Sequence, residues 1–363
     1  MSKVFIHIVC WNNADTIEEV LKSLTALEGF KLFDNLMVSL LDNCSTDGTR
    51  EIIQKSDYSS LQVELLSQNI GFAAGVNRGV RKFLDLGFDF FLTLNPDAKL
   101  APSALAEMIR GIMLNPNFGF ATPKMLLDNG ERKADSKELI DSAGIVMTPF
   151  LRHFDRGQYQ VDNGQYNEPA VVFGGTGACL LIKRECVLDL ICDNLKFEND
   201  KLKVYPQLSD DDCRAQLFDE AFFAYREDAE LAWRANLFGW QTIYLPKAVV
   251  YHKRRVTPEK RASLDPFINK LGVKNRFLLQ LNLFYLSTSL SANIFGLFLR
   301  NMIVFLALFF KEQTSLPALY EVTLLLRRAL ERRAYYWRRK KRNASELSKW
   351  FSFKDYVEKL VAK

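Results

Sequence analysis

Three stretches of the 363-residue chain carry residues whose types and spacing could do chemistry. The first reads Leu92-Thr93-Leu94-Asn95-Pro96-Asp97-Ala98-Lys99-Leu100. Phe90 to Leu94 is an apolar run of the kind buried in a parallel sheet, and Pro96 ends it because proline cannot donate to a ladder. Asp97 therefore stands just past the carboxyl end of a central strand, the edge at which open α/β sheets bind ligands. A carboxylate there can hold a divalent cation against a phosphate, although Asn-Pro-Asp is also good turn chemistry. The second stretch is Glu227-Asp228, at the start of a helix that continues through Leu231, Ala232 and Ala235. Acids in a first turn offset the helix dipole, and one placed below a cleft can also take a proton from a hydroxyl. The third is His252, closing Val249-Val250-Tyr251-His252, a lone histidine that is structural unless other metal ligands stand beside it.

Those residues need a scaffold, and the hydrophobic pattern supplies one. Val4–Val9, Leu36–Leu41, Val63–Leu66 and Phe90–Leu94 read as strands, each followed by a polar loop and a helix. That repeat predicts a parallel sheet wound with helices, its loops collected at one edge. The loops are Trp11-Asn12-Asn13, Asp42 to Thr49, and Asn69-Ile70-Gly71-Phe72-Ala73-Ala74-Gly75-Val76-Asn77. Gly71 and Gly75 permit a close backbone approach, and the helix start that follows offers free N–H groups to a diphosphate. Neither G-x-G-x-x-G nor a P-loop lysine motif is present, which points to a nucleotide site of another kind. Further on, Pro102 begins a helix through Ile112, and Asn115–Tyr166 reads as an irregular β excursion. Gly174–Ala178 forms a glycine-rich turn before the strand Cys179–Ile182. Asp193–Cys213 reads as a surface insertion whose Asp210-Asp211-Asp212 run is solvated. Thr242–Leu245 and Val249–His252 read as two short strands.

Composition bounds the rest. The chain is 48% hydrophobic and 25% charged, and its net charge of +5 is too mild to argue for nucleic acid. Six cysteines with no CxxC pair predict reduced, cytosolic thiols. Met1-Ser2-Lys3 runs directly into a strand without a signal peptide, and no unbroken apolar stretch is long enough to cross a bilayer. Past residue 255 the character changes. Phe277–Phe284 is apolar with helical spacing, Ile294–Phe310 is apolar but broken by Arg300 and Asn301, and Arg332–Arg342 interleaves basic residues with Tyr335, Tyr336 and Trp337. Such a region suits an amphipathic helix on an anionic membrane surface; a helical packing region or a dimer interface is the alternative. No RNA-binding module accompanies it.

Together these stretches resemble the inverting glycosyltransferases of family 2, with the GT-A fold, and in particular a bacterial rhamnosyltransferase-like subgroup. The resemblance rests on Val9–Asn13, Leu41–Thr49, Asn69–Asn77, Leu94–Asp97, Asp141-Ser142-Ala143-Gly144, Gly174–Ala178, Phe218-Asp219-Glu220 through Asp228, and Tyr251-His252. It implies an α/β GT-A catalytic domain over residues 1–260, with a nucleotide-sugar half to about residue 100 and an acceptor half beyond. A basic, helical, membrane-associating region follows over 261–363. By the same resemblance, Asp228 in its pair with Glu227 would be the base. Trp11, Asn12, Asp42, Asn43, Asn69, Gly71, Asn77 and Asn95 would lie on the donor side, and Gly175, Thr176 and Gly177 on the acceptor side. Asp97 and His252 would hold Mg²⁺ or Mn²⁺. Asn95 stands where the family has the first acid of D-x-D, which implies weaker metal dependence, or a nucleotide-sugar-binding protein with a degenerate site. The implied activity moves a sugar, first of all L-rhamnose from dTDP-rhamnose, to a hydroxyl of a glycan or lipid-linked glycan in bacterial cell-surface polysaccharide (O-antigen) synthesis. The expected setting is the inner face of the cytoplasmic membrane, with no nucleic-acid partner and with a homodimer allowed.

Overall fold

The computed structural model describes residues 2–30, 34–55, 61–128, 138–192, 215–254, 265–283 and 293–351. Through the first hundred residues the β-branched and aromatic runs alternate with amphipathic helices. They fold as β1 (Val4–Cys10), α1 (Ile17–Thr25), β2 (Leu36–Asp42), α2 (Thr49–Lys55), β3 (Leu61–Leu65), α3 (Phe72–Leu86) and β4 (Phe90–Leu94). β1 pairs in parallel with both β2 and β4, and β2 with β3. Side chains of β1 alternate between two cores. Val4, Ile6, Ile8 and Cys10 pack with Ile17, Val20 and Leu21 of α1, whereas Phe5 and Val9 pack with Val76, Val80 and Phe83 of α3. Apolar cover on both faces is what lets a parallel sheet exclude water.

Past β4 the sheet becomes mixed. In order follow β5 (Ala98–Leu100), α4 (Ala104–Ile112), β6 (Phe118–Leu127), β7 (Ile140–Ser142), β8 (Ile145–Met147), β9 (His153–Asp155), β10 (Ala170–Val172), β11 (Cys179–Lys183), α5 (Arg184–Leu190), α6 (Glu227–Leu237) and β12 (Gln241–His252). The main sheet runs β10-β12-β6-β11-β4-β1-β2-β3, with β5 on β12 and β7 on β6. Two expectations change here. Residues 118–127 belong to no irregular excursion: they form a buried strand parallel to β12, which Gly119 and Pro123 disguise in the sequence. Thr242–Leu245 and Val249–His252 are one strand, whose register shifts between Leu245 and Val249, where Pro246 removes a donor. The expected insertion over Asp193–Cys213, with its acidic run, lies outside the described residues. Cys10, Cys44, Cys179, Cys186 and Cys192 are free thiols.

Four α-helices close the described chain: α7 (Pro266–Leu283), α8 (Asn293–Phe310), α9 (Pro317–Arg339) and α10 (Ala344–Ser348). Leu278 and Leu279 of α7, and Leu325, Ala329 and Tyr336 of α9, join the same core as Phe83, Phe222 and Trp233. The basic and aromatic stretch therefore departs from the expected membrane-facing helix. Arg332 and Tyr336 are fully buried, and Arg328 is 3% exposed. The cause is Asp219, whose carboxylate lies beneath both arginines. α8 instead keeps an apolar face outside, with Phe295, Phe298, Leu299, Ile303, Leu306 and Phe310 all exposed. No helix among the described residues is long and apolar enough to cross a membrane.

Candidate active site

Strand register brings Asp97 to His252. β5 runs antiparallel to β12 with Ala98 opposite His252, and the turn at Asn95-Pro96-Asp97 delivers the carboxylate beside the imidazole. His252 Nε2 lies 3.2 Å from Asp97 Oδ1, a buried oxygen that meets no well-aligned hydrogen-bond donor. The other ring nitrogen, Nδ1, is 2.7 Å from Oδ2 of the fully buried Asp141. Arg254 Nε donates to Asp141 Oδ1 at 2.6 Å, and its Nη2 to Asp155 Oδ2 at 2.7 Å. Burial alone would lower the His252 pKa, but the carboxylates of Asp141 and Asp97 outweigh it and hold it up at about 9. For Asp141 burial pulls upward, and His252 and Arg254 outweigh it, leaving the pKa below the usual range. Asp141 received no role from the sequence. It lies 111 residues from His252, and the one signal was its place at the head of Asp-Ser-Ala-Gly.

The pair fits a divalent cation. A separation of 3.2 Å is that of two adjacent ligands, each about 2.1 Å from one octahedral ion. Asp141 stands behind the imidazole where a carboxylate would orient a metal-bound histidine and fix its tautomer. Among the described residues no three His, Cys, Asp or Glu side chains converge as a metal-holding group. Asp97 and His252 would thus leave the remaining positions to phosphate oxygens and water, as Mg²⁺ sites at phosphates commonly do.

The second carboxylate site is built under strain. Phe223, Tyr225 and Arg226, just before α6, have φ of 65°, 71° and 73°. Such left-handed non-glycine residues cost about 1–3 kcal/mol each and persist only where surroundings impose them. Here α7 imposes them: Asn275 Nδ2 donates to the carbonyls of Phe222, Ala224 and Tyr225 at 2.9, 2.7 and 2.8 Å. Buried Lys274 adds a bond to Ala221 O at 2.6 Å. Asp219 anchors the start of this segment, paired with Arg328, 3.3 Å from Arg332 Nε, and accepting from Asn282 Nδ2 at 3.1 Å. The segment leads into Glu227, 5% exposed, and half-buried Asp228. Asp228 Oδ2 accepts from Gly177 N at 3.3 Å and Oδ1 from Ala229 N at 2.7 Å. Burial pushes Glu227 up to about 8, with the Asp228 charge adding to it. Burial also raises Asp228 to about 6, against the opposing Gly177 hydrogen bond. Both carboxyls therefore titrate near neutrality, the range a general base needs.

The donor-side residues divide. Trp11 is 50% exposed at the end of β1, an apolar platform. Asn12 N donates to Ser45 Oγ at 2.9 Å, and Asn12 Oδ1 accepts from Thr46 N at 2.8 Å, which joins the first two loops. Asp42 is fully buried; Oδ2 accepts from Arg50 Nε at 2.6 Å and Ser45 N at 3.1 Å, while Oδ1 has no hydrogen-bond partner. Asn43 brackets the third loop, donating to Gly71 O at 3.2 Å and accepting from Ile70 N at 2.8 Å; Asn69 Oδ1 accepts from Gly71 N at 2.8 Å. Gly71 has φ of 85°, and a Cβ there would fall 2.7 Å from Phe223. Asn77 differs. It is fully buried, and its amide is engaged by Phe218 N, Phe218 O and Glu220 Oε1 at 2.8–2.9 Å, so it ties α3 to the segment before the base.

On the acceptor side, Gly175 is a packing position, since a Cβ would fall 2.6 Å from Leu180 and 2.7 Å from Thr122. Thr176 is partly exposed. Gly177 and Ala178 connect the two carboxylate sites: Gly177 N reaches Asp228, and Ala178 O accepts from Asn95 N at 2.8 Å.

Known proteins share the sequence pattern and the fold. The sequence model described as Glycosyl transferase family 2 matches residues 5–187. N-acetylglucosaminyl-diphospho-decaprenol L-rhamnosyltransferase of Mycobacterium tuberculosis (strain ATCC 25618 / H37Rv) is 24% identical over 240 residues, 62% of this chain and 69% of the relative. Among solved structures, S. aureus TarS 1-349 in complex with UDP-GlcNAc superimposes with a TM-score of 0.50 at 15% identity, over 98% of this chain and 92% of that one. GalNAc-T7 with UDP, GalNAc and Mn²⁺ gives 0.52 at 12% identity, over 77% of this chain and 48% of the other. At such identities the two structures speak for a shared fold.

Proposed function

The chain belongs to glycosyltransferase family 2, and from that premise we propose that it moves L-rhamnose from dTDP-rhamnose to a sugar hydroxyl of a lipid-linked glycan, with inversion, in cell-surface polysaccharide synthesis. Donor and acceptor class are supported by the mycobacterial relative, whose name gives a rhamnosyl group and a diphospho-decaprenol acceptor. The observation that carries the chemistry is the single turn, Gly177-Ala178, that bonds to both Asp228 and Asn95. It links a carboxylate of raised pKa to the Asp97–His252 pair.

Asp228 takes the proton from the acceptor hydroxyl as that oxygen attacks the anomeric carbon. Attack from the face opposite the diphosphate, through an oxocarbenium-like transition state, inverts the centre in one displacement. Trp11, Asn12, Asp42, Asn43, Asn69 and Gly71 shape the nucleotide end, and Thr176 lies toward the acceptor. Asp97 and His252 would hold Mg²⁺ or Mn²⁺, which when bound would supply positive charge to the diphosphate leaving group. Asn95 adds no charge there, so this pair sets the metal affinity. The apolar face of α8, with Arg300 on the same helix and Lys311 just past its end, rests on the inner surface of the cytoplasmic membrane, where a lipid-linked acceptor is found.

Calorimetric titration with dTDP-rhamnose, UDP-glucose, UDP-galactose and GDP-mannose, each with and without Mn²⁺, tests this reading. The expected result is preferential binding of dTDP-rhamnose that weakens without metal and in Asp97→Ala. Preference for another donor would overturn the rhamnosyl assignment, and binding of none would overturn the transferase reading in favour of a degenerate site.

A further inference from the structure

Four arginines stand on four separate segments that pack together near the start of α6. Arg226 closes the left-handed run before Glu227, Arg276 lies on α7, Arg300 on α8, and Arg152 on the loop between β8 and β9. Contacts of Arg276 and of the other arginines' neighbours bring the four segments together. Asn275 Nδ2 donates to Tyr225 O at 2.8 Å, and Arg276 Nη2 donates to Asn301 Oδ1 at 3.3 Å. Gly296 of α8 abuts the Phe150 ring so closely that no Cβ would fit. The consequence registers on Arg276, whose pKa is pushed down to about 9 by burial and then by Arg300, Arg226 and Arg152. All three of those charges have its own sign, so they repel. Phosphate oxygens answer such a cluster in charge and in the forked geometry of guanidinium.

Two further features narrow the source of the phosphate. Arg226 immediately precedes Glu227-Asp228, so an anion among these arginines sits next to the base rather than at the β4–β5 turn that carries Asp97. Arg300 shares its helix with exposed Phe298, Leu299 and Ile303. A molecule with a diphosphate among the arginines and a hydrocarbon chain along α8 would use both. We propose that Arg152, Arg226, Arg276 and Arg300 form a subsite for the diphosphate of a lipid-linked acceptor, whose chain follows the apolar face of α8. The proposal rests on the transferase reading above and adds where that acceptor is held.

The test uses the full chain and two acceptors bearing the same sugar, one on a short isoprenyl diphosphate and one on an uncharged alkyl glycoside. Arg276→Gln and Arg300→Gln are each expected to raise KM for the diphosphate acceptor about tenfold, the loss of one charge-assisted contact. KM for the alkyl glycoside and for the donor should stay put. Removing one arginine relieves repulsion, so the variants should melt no lower than the parent. Equal changes with both acceptors, or none with either, would overturn the proposal. Titration with isoprenyl diphosphate alone and with inorganic pyrophosphate separates the sources without turnover. Tighter, arginine-dependent binding of the isoprenyl compound supports the lipid subsite, and equal affinity for both probes overturns the lipid part. Loss of binding to phosphatidylglycerol vesicles with unchanged isoprenyl diphosphate affinity would make the arginines a headgroup contact and also overturn it. A parent protein that binds isoprenyl diphosphate through these arginines yet transfers no sugar would sustain the subsite and sink the transferase reading.

Discussion

The Gly177 amide donates to Asp228 Oδ2 at 3.3 Å, so the carboxylate proposed as base is held by the turn whose next carbonyl accepts from Asn95 N. One short stretch of backbone thereby ties Asp228 to the Asn95-Pro96-Asp97 turn. Positioning of this kind is what turns a weak carboxylate base into an effective one.

The pH dependence follows from that placement. Burial raises the Asp228 pKa to about 6, and a base works only when deprotonated. Activity should therefore rise through pH 6 and fall away below it, where an unperturbed aspartate would still be ionised down to about pH 4. A kcat/KM profile checks this, and an acid limb near 4 would remove Asp228 from the role.

Asp97 and His252 should act as a unit toward metal. Asp97→Asn and His252→Ala are each expected to weaken Mn²⁺ binding about 10- to 100-fold. Both variants should leave melting in metal-free buffer within a few degrees of the parent. Calorimetric Mn²⁺ titration in the presence of dTDP, compared with chelator-treated protein, reads the effect.

The buried Asp219 network is expected to govern stability. Asp219→Asn leaves Arg328 and Arg332 buried without their carboxylate, a change that costs about 3–5 kcal/mol. The two arginines hold the Asp219 pKa well below the usual carboxylate range, although burial pulls the other way. A depressed acid contributes stability above its unfolded pKa and loses it as pH falls through the folded one. The gap between parent and variant should thus be full at pH 7 and begin to close below about pH 4. Denaturant melts at both values measure it.

Much of this architecture was legible in the chain, and the omissions have physical causes. Val4–Val9, Leu36–Leu41 and Phe90–Leu94 announce buried strands because continuous apolar runs between polar loops suit a sheet covered on both faces. Asp97, Asp228 and His252 stood out by type and position. Asp141 did not, because only the β6–β7 and β6–β12 pairings bring it to His252. Arg332 read as part of a membrane-facing basic stretch because its carboxylate, Asp219, lies far from it in sequence. Asn77 looked like a pocket residue in a glycine-rich loop, yet it sits in the second turn of α3 facing Phe218.

Gly71 should tolerate no side chain. Gly71→Ala puts a Cβ 2.7 Å from Phe223 at a φ of 85°. Strain of about 1–3 kcal/mol and displacement of the loop held by Asn43 are expected. Donor affinity should drop at least tenfold while acceptor KM is preserved, as a donor titration beside acceptor kinetics would reveal.

The most direct measurement is single-turnover transfer from dTDP-rhamnose to a lipid-linked glycan acceptor by parent and Asp228→Asn, with the anomeric configuration of the product read by NMR. The account expects an inverted linkage from the parent. It also expects a rate 10²- to 10⁴-fold lower in the variant at undiminished donor affinity. A retained configuration, or a variant that transfers at the parental rate, would contradict it.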